Sequence, residues 1–258
     1  MQNFYFRNKT LKAKEQLRKV SLIREIWHSR FAPSNKIGNC TDLFRKHNPI
    51  SEKDFCDKYF KYAEEHQDLP INERGLTYDE FVTLVNNYMT AGNAVSEKQY
   101  DYETYFNDAL CHIITETYDG KIIERDFKNF LEGLGYKCDY FEGSIDAKYG
   151  VDIKVTRDNG KVSAIQIKPI SFFKSKKSDV RKDRIAMVHK YHKFLNDYGY
   201  KTYYAVYYKD KEKNYTLWLK NGNGYRFKID ELFKYDPENI SETVQEIDLK
   251  DNYHLLGE

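Results

Sequence analysis

One hairpin constrains this chain more than any other segment. It runs Gly150-Val151-Asp152-Ile153-Lys154-Val155, turns near Asn159-Gly160, and returns as Ser163-Ala164-Ile165-Gln166-Ile167-Lys168. Side chains alternate across a strand. Val151, Ile153 and Val155 are therefore expected on one face, with Asp152 and Lys154 on the other. Ile165 and Ile167 share a face in the return strand, and Gln166 and Lys168 point the opposite way. The apolar sets read as core, which leaves Asp152, Gln166 and Lys168 together. The turn fixes the register. A two-residue Asn159-Gly160 loop would set Asp152 against Ile167 and bring a charge onto the apolar face. A three-residue loop, Asp158-Asn159-Gly160, sets Asp152 opposite Gln166 and needs a left-handed last residue, which Gly160 supplies. The competing expectation is an ordinary half-exposed strand pair, with Asp152 and Lys168 as a cross-strand ion pair worth little.

The segments around the hairpin complete a pattern of elements. Lys121 to Leu134 carries Phe127, Phe130, Leu131 and Leu134 at helical spacing, and Glu124 falls on the Phe127/Leu131 side. A carboxylate there is costly unless something compensates it. Glu103 and Glu116, further back, are rivals for its role, and Asp146 is a rival for Asp152. Gly135 to Phe141 reads as a first strand. Ser178 to Tyr198 reads as a helix with Val188, Tyr191 and Leu195 on one stripe. Lys201 to Tyr208 is rich in strand formers. The predicted order is αβββαβ.

Val151-Asp152 followed by Gln166-Ile167-Lys168, within that order of elements, resembles the catalytic core of the PD-(D/E)XK nucleases. This superfamily contains most type II restriction endonucleases. The resemblance covers about residues 97–220. It departs from the motif at two positions. Val151 stands where the motif has Pro. Gln166 stands where it has an acid, which removes one negative charge; Gln occupies that position in some active branches. The resemblance implies an α/β fold with a restriction-endonuclease-like αβββαβ core and a mixed sheet. It also implies Mg²⁺ as cofactor. Asp152 would be the anchoring ligand, Gln166 would offer its side-chain carbonyl and Ile167 its main-chain carbonyl. Glu124 would act through water, and Lys168 would orient the attacking water and stabilise charge at phosphorus.

Charge distribution points the same way. The net charge of +2 decides nothing. Lys168 to Lys193, however, holds nine basic residues opposed by Asp179 and Asp183 alone. Such a run is the electrostatic footprint of a phosphate-backbone ligand. Ser171, Lys174, Lys176, Lys177, Arg181 and Arg184 are the expected DNA contacts, positioning the duplex or reading guanines. His112, His189 and His192 have no third partner at metal-ligand spacing and are expected in packing or at the surface. The four cysteines are scattered, with neither zinc spacing nor a disulfide framework. No stretch is apolar enough to span a membrane and no signal-peptide core is present, so cytoplasmic residence is expected.

Residues 1–95 read as a helical subdomain for DNA recognition or dimerisation, and 96–258 as the nuclease core with a C-terminal extension. Leu11 to Trp27 is a basic amphipathic run, Ser51 is an N-cap, and Thr77-Tyr78-Asp79-Glu80 has capping-box spacing. This arrangement resembles the N-terminal part of the MjaI-like restriction enzymes. The expected function is a homodimeric type II restriction endonuclease cutting duplex DNA at a short site, leaving 5′-phosphate and 3′-hydroxyl ends. The alternatives are a repair or recombination nuclease on the same core, or a DNA-binding module without cleavage.

Overall fold

The structure, a computed structural model, describes residues 20–156, 160–175, 178–209, 219–220 and 225–231. The chain divides into two compact units, Met1–Ile122 and Ile123–Glu258.

The described part of the first unit is helical. α1 (Ser21–Ile26) continues into a π-type turn, Trp27–Phe31. Then come α2 (Ser34–Ile37), α3 (Cys40–His47), α4 (Glu52–Glu65), α5 (Ile71–Arg74), α6 (Tyr78–Val95) and α7 (Tyr102–Leu110). A second π-type turn, Cys111–Thr115, leads into α8 (Glu116–Gly133). The helix starts follow from sequence. Ser51 is extended and accepts from Asp54 N–H. Thr77 and Glu80 close a capping box, which Arg74 braces by donating to both Glu80 carboxylate oxygens at 2.6 and 2.7 Å. The Arg74 hydrogen bonds hold the Glu80 carboxyl down at about 2. The unit boundary lies beyond residue 95 because α7 does not leave the first core. Tyr105, Phe106, Ala109 and Leu110 join one cluster with Phe81, Leu84, Val85 and Tyr88.

His112 is buried in packing, as one of the two expectations has it, and it also has charged partners. It stacks on Trp27 with centroids 5.4 Å apart. Its Nδ1 meets Glu116 Oε2 at 2.7 Å, and its Nε2 faces Asp108 Oδ1 at 3.4 Å. Asp108 is buried and accepts from Tyr88 O–H at 2.6 Å.

In the second unit a six-stranded mixed sheet has the order β1-β2-β3-β4-β6-β5. Its strands are β1 (Lys137–Tyr140), β2 (Ile153–Thr156), β3 (Val162–Pro169), β4 (Lys201–Lys209), β5 (Leu219–Lys220) and β6 (Tyr225–Glu231). β1, β2 and β3 form an antiparallel meander, β4 is parallel to β3, and β6 is antiparallel to β4. The parallel pair requires a crossover. It is made by α10 (Ile170–Lys174) and α11 (Ser178–Tyr198), while α9 (Gly143–Tyr149) lies between β1 and β2. α11 buries Met187, Val188, Tyr191 and Phe194 against Val151, Ala164, Tyr204 and Val206. Ile153, Ile165, Ile167, Tyr203 and Ala205 are also buried, and by alternation they lie on the other face. A sheet covered on both faces carries near-continuous apolar strands, which is how β3 and β4 read.

The His112 cluster sets a pH dependence. Burial lowers its pKa, but bonding and attraction to Asp108 and Glu116 outweigh burial and lift it from 6.5 to about 9. A raised folded pKa contributes stability that is fully present below 6.5 and is lost as pH rises through about 9. Urea unfolding of the whole chain should lose on the order of a few kcal/mol across that window. His112→Gln should be less stable at the acidic end and should flatten this component of the pH profile.

Candidate active site

The hairpin pairs as its turn demands. Ile153 faces Ile165 and Thr156 faces Val162. Continued regularly, that register would set Asp152 opposite Gln166, and Gly160 has φ +77° at the end of the turn. Asp158 and Asn159 lie outside the described residues.

At Asp152 the regular ladder stops. Asp152 N–H donates to Ile165 O at 2.9 Å, although Ile165 is already the partner of Ile153. Two residues of one strand thus share one residue of the next, the geometry of a β-bulge. The alternation breaks with it. Val151 packs with the α11 cluster rather than with Ile153 and Val155, contrary to the sequence expectation. Asp152 then turns its side chain toward β3, and its Oδ2 accepts from the Ile167 main-chain N–H at 2.7 Å. N–H and C=O of one strand residue point to the same neighbour. Ile167 C=O therefore faces the Asp152 edge as well.

Gln166 is held from the other side. Its Oε1 accepts from Tyr191 O–H at 2.7 Å, and Tyr191, on α11, is fully buried. Burial first, then the Asp152 charge, keeps the Tyr191 hydroxyl well above the usual phenol range, so it stays a neutral donor. Gly150, with φ +65°, lies beneath the Gln166 amide. A Cβ there would come 3.2 Å from Nε2 and 3.7 Å from Lys190 Cδ. Asp152 and Gln166 are 7% and 6% exposed. The pair is therefore not a half-exposed surface ladder, and Asp152 Oδ2 and Gln166 Oε1 each accept from a named donor. Lys168, half-buried on β3, extends its Nζ over the Phe172 ring, 5.6 Å from the centroid.

Glu124 is buried on the side of α8 that carries Ile123, Phe127 and Leu131. Its rivals have other places. Glu103 and Glu116 belong to the first unit, and Glu116 meets His112. Asp146 lies on α9 and its carbonyl accepts from Gly150 N–H.

Among the expected DNA contacts, Ser171 is exposed at the start of α10. Lys176 and Lys177 lie outside the described residues, and Lys174 and Arg181 are described by backbone alone. Arg184 departs from expectation. It is 3% exposed, and its guanidinium donates to Phe172 O at 2.8 Å and Ser175 O at 2.9 Å. Those carbonyls belong to the end of α10, where helical partners run out. Arg184 braces α10 instead of projecting outward. From spacing Tyr191 reads as core alone; its bond to Gln166 leaves no signal in local spacing, because it depends on where α11 crosses β3.

Among the described residues no group of three or more His, Cys, Asp or Glu is arranged to hold a metal, and no helix is long and apolar enough to cross a membrane. No protein-family model matches this chain, and no curated protein matches it.

Arg184→Met should cost about 2 kcal/mol in chemical denaturation, because buried carbonyls lose charge-assisted donors. Substitution of an exposed neighbour, Lys182→Met, should leave stability within about 0.5 kcal/mol.

Proposed function

We infer that this protein is a Mg²⁺-dependent nuclease with a PD-(D/E)XK core, acting in the cytoplasm as a homodimeric type II restriction endonuclease on duplex DNA. The observation that carries the inference is the bond from Ile167 N–H to the Asp152 carboxylate, which joins the end of β2 to the Gln166-Ile167-Lys168 segment of β3, followed by a helix and a strand parallel to β3. The meander, the crossover and the preceding α8 support this reading, with α9 inserted between β1 and β2 and α10 before α11.

The donor set suits a hard cation. Mg²⁺ keeps most of its waters and takes one or two carboxylates plus substrate phosphates, so a cage of three acidic side chains is not required. Asp152 from β2 and the Ile167 carbonyl from β3 would hold it, with Glu124 acting through water. When bound, the cation neutralises charge on the phosphate and acts as a Lewis acid. Asp152 is anchored for this task because the Ile167 N–H fixes one of its oxygens. Lys168 would donate to the attacking water and to a non-bridging phosphate oxygen, stabilising the charge that grows as water adds to phosphorus and the 3′-oxygen leaves. Ser171 and the basic residues Lys174, Lys176, Lys177 and Arg181 are the remaining candidates for backbone contact; Arg184 is withdrawn from that set.

A second reading, a DNA-binding module without cleavage, is favoured by one observation: the Gln166 oxygen expected to serve the metal already accepts from Tyr191.

Purified protein incubated with unmethylated plasmid should give discrete bands with Mg²⁺ and none with EDTA. Lys168→Ala and Asp152→Asn should each lower the rate by about 10² or more. Asn keeps an acceptor for Ile167 N–H, so Asp152→Asn should hold its stability within about 1 kcal/mol, whereas Asp152→Ala should lose about 1–3 kcal/mol. Smearing or junction-only cutting would indicate a repair nuclease. Salt-sensitive binding without any cleavage would indicate the inactive module.

A further inference from the structure

Gln166 has two nearly isosteric ends with opposite chemistry, an acceptor oxygen and a donor nitrogen. Which end meets the substrate decides what the residue can do. Tyr191 makes that choice. Its hydroxyl donates to Oε1 at 2.7 Å in a fully buried setting. Among the described residues none accepts from Nε2. That nitrogen lies over Gly150, whose lack of a Cβ leaves room for it, and the stem of Lys190 flanks the same spot. Lys190 is exposed on α11. The donor end of Gln166 therefore faces the side on which a cationic side chain reaches solvent. An amide N–H on the side along which a lysine stem runs suits an anionic oxygen.

We propose that Gln166 binds a substrate phosphate oxygen through Nε2 instead of serving the metal through Oε1, and that Tyr191 is the positioning residue that fixes the amide in this orientation. This rests on the nuclease function inferred above and assigns the phosphate, not the cation, as the partner of the residue that replaces the motif acid. The exchange is self-consistent. An amide donor gains from a phosphate where a carboxylate would be repelled by it, and a flip of the amide would forfeit the Tyr191 donation to Oε1.

The test uses full-length wild type, Gln166→Glu and Tyr191→Phe. Affinity is measured in EDTA for a pool of random-sequence duplexes, and cleavage of plasmid is measured in Mg²⁺. The Gln166 side-chain amide resonances, assigned by their loss in Gln166→Glu, are followed on adding metal-free DNA and, separately, Mg²⁺ alone. Metal-free affinity should fall about tenfold in Gln166→Glu and several-fold in Tyr191→Phe. The wild-type amide should shift with DNA and not with Mg²⁺. Two resonance sets in Tyr191→Phe would report the released flip, which a purely structural tyrosine would not produce. Should Tyr191→Phe fail to fold, Gln166→Glu and the wild-type spectra still decide. Wild-type metal-free affinity in Gln166→Glu, with cleavage kept or raised and an amide that responds to Mg²⁺, would make the oxygen a metal ligand and overturn the proposal. If the wild type neither binds nor cuts DNA, the nuclease function fails first, and the proposal falls with it.

Discussion

The hydrogen bond from Ile167 N–H to the Asp152 carboxylate is the contact on which the second unit's site depends. β2 and β3 pair regularly only as far as Ile153 and Ile165. Beyond that point β3 continues alone on that edge, and its next inward N–H needs an acceptor. A backbone carbonyl would have supplied one had β2 continued in register. The bulge at Asp152 substitutes a side-chain carboxylate, so the residue that ends the ladder also presents charge at the sheet edge. Sheet pairing and site geometry are thus one arrangement.

The rest of the unit follows from that edge. β3 is central, with β2 antiparallel on one side and β4 parallel on the other. The parallel partner demands a helical crossover, and the crossover brings α11 across the face that carries Ala164 and Gln166. Its apolar stripe buries that face, and Tyr191, within the stripe, supplies the one hydroxyl that Gln166 Oε1 accepts from. Arg184, about two turns earlier on the same helix, satisfies carbonyls in the last turn of α10 and at its C-cap. One helix therefore seals the sheet, orients the amide and pins the segment that follows Lys168.

Much of this was legible in the residues. Apolar alternation together with a left-handed Gly160 predicted the hairpin register, because register errors would bury charge against Ile167. Thr77 and Glu80 announced α6 through reciprocal capping, and Ser178–Tyr198 formed over its predicted span. The misses share one cause. Period-two patterning cannot register a bulge, so Val151 was assigned to the wrong face. A basic run cannot reveal which member folds inward, so Arg184 was taken for a surface residue. Asp108, His112 and Glu116 stand at successive intervals of four, a spacing that puts them on one helical face. Only the path of Trp27 and Tyr88 across that face buries Asp108 and His112, with Glu116 at the exposed end.

Gln166 is where burial and charge meet. Asp152 is already a nearly buried carboxylate in a β-bulge, and a second carboxylate at position 166 on the neighbouring strand would add both desolvation and repulsion when no cation is bound. An amide removes both costs. Under the proposed function it would also remove part of the electrostatic pull on a cation, which would leave Asp152 as the anchoring charge and give the second acid, Glu124, more weight. A buried amide, unlike a carboxylate, must have its ends told apart. The strand supplies no group to do that, since backbone donors in β3 are taken up by its neighbours. The discriminating donor has to come from outside the sheet, and a neutral hydroxyl on the covering helix provides it without reintroducing charge.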